Sequence, residues 1–218
     1  MQDYPGSLGN NIRPGCIQIR ESIATPHRVL RSFQKGVQRM KYLLMAAAAT
    51  LLTVPVMADR PAPTPAAAHF EVKFMTDMID HHMMAVMMSE HCVEKAEHEE
   101  LRTMCKEIIA AQTNEIQQMQ TWLNDWYGIS YEPDMQMTGQ MKKLMSMSGS
   151  TFEIEFMQMM IRHHFQAIKE AQQCQRRAYH PELMQLCQNI ETTQAREIQE
   201  MQTWLCGWYG ICNWGPKA

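Results

Sequence analysis

Apolar residues recur at the spacing of one helix face over four stretches, roughly 69–96, 99–126, 151–178 and 181–208. Helix formers dominate them, β-branched runs are absent, and no proline lies in an interior. Pro181 falls where a first helical turn tolerates it, and Gly128 and Gly210, each after Trp-Tyr, fall where helices end. At 100° per residue, Met75, Met78, His82, Ala85, Ser89 and Val93 share one face of the first stretch. The second stretch presents Leu101, Ile108, Gln112, Glu115, Met119, Leu123 and Trp126. Turns near 97–99 and 179–181 fold each pair of stretches into a hairpin. The expected fold is all-α: two tandem hairpins packed as an antiparallel four-helix bundle about a pseudo-twofold axis.

The two hairpins are copies. Residues 70–130 and 152–212 align without a gap at an offset of 82, and nearly half the positions are identical. The expected organisation is repeat 1 at 69–127, a Met-rich connector at 128–150 and repeat 2 at 151–212, with 69–212 forming one domain. What the copies share is chemical: His81-His82 and His163-His164, methionines at the same helical offsets, and a closing Gln-x-x-Glu-Ile-Gln-x-Met-Gln-Thr-Trp-Leu in both.

Folding the first hairpin about position 98.5 sets residues equidistant from the turn level with one another. Cys92 then faces Cys105, His82 faces Glu115 and Met78 faces Met119. The second hairpin repeats these pairs as Cys174 with Cys187, His164 with Glu197 and Met160 with Met201. Gln112, Glu115 and their copies Gln194 and Glu197 are polar residues on an apolar stripe, and a buried carboxylate requires a partner. Thioether plus imidazole selects copper(I), with silver as a surrogate, and imidazole also serves copper(II). The carboxylates then orient the imidazoles or ligate the oxidised ion directly. Zinc fits less well, because structural zinc sites take thiolate and histidine. Methionine at helical spacing is also ordinary core filler, but the coincidence with His and Glu in both copies favours a metal.

Further soft donors lie outside these pairs. His81 sits 80–100° round from His82, on a flank stripe with Asp77, Met84, Met88 and His91. Repeat 2 replaces most of that stripe, so extra, more exposed metal capacity and a solvated surface stand level as readings. In the connector, Met137, Met141 and Met145 at i, i+4 and i+8 line one side of a short helix, an expected soft-metal capture strip. His98 and His180 occupy the turns, with capping and ligation equally open. Trp122, Trp126, Trp204 and Trp208 read as an aromatic plug at the ends away from the turns.

Composition sharpens this. The chain has 22 Met against 10 Gly. Its charge of −3 hides an uneven split: seven Lys+Arg and two Asp+Glu precede Asp59, against 13 and 21 from there on. An acidic body argues against nucleic acid and against anionic membranes, and suits cations. Residues 42–57 form an apolar run too short to span a bilayer well, behind Arg39 and Lys41 and before Val56-Met57-Ala58. The expectation is a signal peptide at 40–58, a non-native upstream extension at 1–39 and a mobile Pro/Ala tether at 59–68. Export makes the six later cysteines readable. Cys92–Cys105 and Cys174–Cys187 read as disulfides clamping the open end of each hairpin, with free thiols as the alternative. Cys206 and Cys212 lack counterparts in the first repeat and are a further candidate pair. No E-x-x-H pair for a di-iron centre, no C-x-x-C-H, no phosphate loop and no nucleophile elbow is present.

The runs FMTDMIDHHMMAVMM and FMQMMIRHHFQAI, each followed by QTNEIQQMQTWL or QAREIQEMQTWL, resemble a widespread bacterial family of Met/His-rich exported proteins first catalogued as a domain of unknown function. The resemblance runs from Phe70 to the end and departs at Asp80, where the family often has proline. It implies a ferritin-like four-helix fold and periplasmic copper binding linked to resistance. It carries to Met75, Met78, His81, His82 and Met119, and to Met157, Met160, His163, His164 and Met201. The expected function is sequestration of copper, copper(I) favoured, with hand-over to an efflux component as an extension and no enzymatic turnover. The rival readings are a copper(I) oxidase, which lacks a visible Cys-His-Met cluster, and a structural bundle whose methionines only pack.

Overall fold

The computed structural model describes residues 60–215. The expected leader and upstream extension lie outside them. Five helices follow in order: α1 (Pro65–Lys95), α2 (Glu99–Tyr127), α3 (Gly139–Met145), α4 (Gly149–Arg177) and α5 (Pro181–Tyr209). Among the described residues there is no strand, and no helix is long and apolar enough to cross a membrane.

Local chemistry sets the boundaries. The Thr64 hydroxyl accepts from the Ala67 N–H and Pro65 fills the first helical position, starting α1. Gly128 and Gly210 adopt φ of 65° and 68°, closing α2 and α5 in a left-handed conformation that side chains disfavour. In α1 the inward residues Met75, Met78, His82, Ala85 and Ser89 are buried, as expected. Val93 is only half-buried, because Cys92 takes the inward position beside the turn.

α1 packs along α2, and α4 along α5. The disulfides Cys92–Cys105 and Cys174–Cys187 bind each hairpin together. They sit next to the connecting turns rather than at the open ends, since each cysteine lies within seven residues of its turn. A third bond, Cys206–Cys212, ties the end of α5 to the segment after it. The hairpins meet through α1 and α4, with a smaller α2–α5 contact. The core between them divides into two clusters, one holding Met75, Met78 and Met119, the other Met157, Met160 and Met201.

Two segments expected to be loose are pinned. The Arg60 carbonyl accepts from His180 Nε2 at 2.8 Å, and Ala62 is buried with its N–H on the Tyr127 hydroxyl. Helix α1 also begins inside the expected 59–68 tether, because Thr64-Pro65 is itself a helix start. In the connector, Met141 and Leu144 face inward and are fully buried. The expected Met137–Met141–Met145 strip is broken, since Met137 is exposed ahead of α3 and Met145 packs on the core.

Candidate metal centre

Four imidazoles cross the middle of the α1–α4 contact. His82 is fully buried and its Nε2 lies 2.7 Å from Glu115 Oε2. His164 repeats this with Glu197 at 2.7 Å. A carboxylate accepts here, so Nε2 carries the proton; in the neutral ring with that tautomer the lone pair is on Nδ1. In both residues Nδ1 is closed off from water and has no hydrogen-bond partner. A buried, unpaired acceptor costs about 1–3 kcal/mol, so an orphaned nitrogen repeated at equivalent positions is poor as pure packing. The geometry is that of a ligand nitrogen whose ring a carboxylate holds in orientation. The expected methionines are all fully buried and divide between the two core clusters, Met75, Met78 and Met119 in one and Met157, Met160 and Met201 in the other. The side-chain oxygens of Gln112 and Gln194 are also buried without a partner.

His81 corrects its expected exposed place on a flank stripe. Its ring stacks on that of His163, with centroids 3.6 Å apart, and all four of their ring nitrogens are buried without partners. The flank faces inward at this point because the hairpins meet there. Met88 is buried, Met84 half-buried, and His91 lies edge-on to Phe152 at 5.4 Å. Among the described residues no three His, Cys, Asp or Glu converge on a common point.

Burial, and next the neighbouring His82 and His164, push the His81 imidazole down to about 3. Burial, and next His81, push His163 down as well. Both are therefore neutral when folded, whereas the unfolded chain takes up protons below about pH 6.5. The stability this neutrality gives is complete above that pH and declines as pH falls toward 3. The melting temperature is expected to fall between pH 7 and pH 5, before ordinary carboxylates titrate. A fall no smaller in His81→Phe/His163→Phe would assign it elsewhere.

The ends of the molecule carry a second repeated cluster. Glu71, at the start of α1, accepts at Oε1 from the N–H groups of Tyr179 (2.6 Å) and His180 (2.9 Å) in the turn of the other hairpin. Its Oε2 receives His180 Nδ1 at 2.6 Å and the Tyr127 hydroxyl. Glu153, at the start of α4, does the same for Glu97, His98 and Tyr209. Trp126 stacks on His180 at 3.8 Å and Trp208 on His98 at 3.9 Å, so these two tryptophans close onto the other repeat's turn. Burial alone raises the Glu71 carboxyl; the Tyr127 hydroxyl and His180 outweigh it and hold it below the usual range. Neither His98 nor His180 caps its helix with its side chain. Each ring is instead committed to a carboxylate.

Glu71 and Glu153 were not among the candidates read from sequence. They are identical between copies and lie on the buried face, which was the available signal. Symmetry within one hairpin cannot supply their partners, which lie on the other.

The profile of the family described as "Domain of unknown function (DUF305)" matches residues 71–205. The chain belongs to the DUF305 family. Among solved structures it is similar to CopM in the Cu(I)-bound form, at 31% identity over 64% of this chain and 98% of that one, with a TM-score of 0.59. CopM in the Cu(II)-bound form is similar at 31% identity over 64% and 97%, with a TM-score of 0.58. A DUF305 protein from Streptomyces coelicolor, named as a candidate secreted protein, is similar at 26% identity over 68% and 98%, with a TM-score of 0.60. A comparison with curated proteins gave no match. The DUF305 match takes in both His-His pairs, both carboxylates and the connector.

Proposed function

We propose that this DUF305 protein binds copper in the periplasm and lowers the free concentration of the ion, favouring copper(I). In this reading the hairpins form an antiparallel, ferritin-like four-helix bundle with one soft site in each. Met75, Met78, His82 and Met119 serve the first site, and Met157, Met160, His164 and Met201 the second. Glu115 and Glu197 hold the imidazoles with Nδ1 free to ligate, and Gln112 and Gln194 stand beside them. His81 and His163 join the two sites at the centre. The observation that carries this reading is the orphaned, buried Nδ1 of His82 and of His164, in a protein whose candidate methionine ligands are all fully buried. Thioethers and imidazole retain copper(I) yet exchange it readily, which suits storage and hand-over to an efflux component rather than catalysis. The similarity to CopM, solved with Cu(I), Cu(II) and silver, supports the same ion class.

An anaerobic copper(I) titration against a chromophoric chelator tests it. Two or more ions per chain, held against the chelator, are expected. A chelator that keeps all its copper leaves only a methionine-packed helical protein.

A further inference from the structure

The two flanks of the α1–α4 contact occupy equivalent positions, and the copies have diverged there. On one flank a cavity of about 190 Å³ opens between α1, α3 and α4, lined by Met84, Met88, Met141, Met159 and His163. On the other flank the positions equivalent to Met88 and Met159 are Glu170 and Asp77, whereas Gln166, the equivalent of Met84, lines the same cavity as Met84. Asp77 and Glu170 there line a cavity with Lys73 and Arg177. The same helices thus accept carboxylates at these two places, so packing does not demand the Met88 and Met159 thioethers.

Helix α3 completes the set. It puts Met141 into the cavity wall and is anchored by the fully buried Leu144. His163 adds two ring nitrogens that are closed off from water and lack hydrogen-bond partners. The one cation on the lining, Arg162, has its guanidinium over the Trp214 ring, 5.2 Å from the centroid.

We propose that this cavity is a third soft-ion site, distinct from the two hairpin sites, in which the thioethers of Met84, Met88, Met141 and Met159 with the His163 imidazole take a monovalent d10 ion. It rests on the reading that the chain binds soft metal ions. It adds an asymmetric site, open to solvent, that shares His163 with the buried pair. An ion held there lies next to the central imidazoles and reaches them by exchange of one ligand at a time.

Silver(I) alone is the probe, counted by native mass spectrometry on the protein and on two variants. Met84→Leu/Met159→Leu changes half-buried residues to a side chain of similar volume and is expected to lose one silver per chain. His82→Leu/His164→Leu is expected to lose the hairpin ions and keep this one. If Met84→Leu/Met159→Leu binds as many silvers as the parent, the third site falls and the hairpin reading stands; if the parent binds none, both fall. Methyl-labelled methionine spectra of the parent give an answer that needs no variant: the methyls of Met84, Met88, Met141 and Met159 shift on saturation, and their failure to shift overturns the site.

Discussion

Glu71→Ala is expected to lower the melting temperature by about 10 °C, from a loss of about 3–5 kcal/mol typical of removing one partner of a buried charged pair. The carboxylate gathers four donors: two turn N–H groups, the His180 imidazole and the Tyr127 hydroxyl. His180 donates from both nitrogens, to Glu71 and to the Arg60 carbonyl, so truncation strands a fully buried ring with one side unpaired. Glu153→Ala is expected to cost less. The His98 side chain is 36% exposed against 0% for His180, and water takes up part of what the carboxylate gave. Tyr127→Phe removes one of the four donors, worth about 1 kcal/mol. Thermal unfolding of the three variants checks the order, and a Glu71→Ala melt within a degree or two of the parent would sink it.

His82→Leu is expected to remove the tight copper(I) of the first hairpin while the second still fills. The loss should be at least as large as the roughly 10–100-fold cost typical of removing a residue that orients a ligand. Glu115→Gln tests that lesser effect on its own, since it removes the charge and keeps the size. The two hairpins should then differ in stability. The Glu115 side chain is 16% exposed and can turn to water, whereas that of Glu197 is 4% exposed, so His164→Leu destabilises more than His82→Leu. Replacing both partners, as His82→Leu/Glu115→Leu, should restore stability without restoring binding, because a well-packed apolar pair is no worse than a buried hydrogen-bonded one. Copper affinity unchanged in both single His variants would leave the histidines with packing alone.

The helices were legible because strong amphipathic patterns end in two Trp-Tyr-Gly signals, and left-handed glycines do close α2 and α5. Register within a hairpin was legible because one mirror point aligned chemically matched residues. The Cys92–Cys105 bond and the His82–Glu115 contact both span that point. How the hairpins face each other was not legible, and the errors follow from that. His81 looked lateral on its own helix and became central once α4 covered it. Met141 sits in a polar stretch, where only the i, i+3 pairing with Leu144 marks it as buried. The Pro/Ala segment reads as a tether until the Arg60 carbonyl finds a ring on the other repeat.

The crossed carboxylate clusters also bear on what half of this chain could do. Glu71 seals the turn of the second hairpin and Glu153 that of the first, so a lone hairpin presents a carboxylate and a turn that cannot satisfy each other. Two separate copies would complete both seals only by associating, and their integrity would track protein concentration. With both copies on one strand, the partner is present at a fixed effective concentration. Dilution then leaves the central imidazoles assembled.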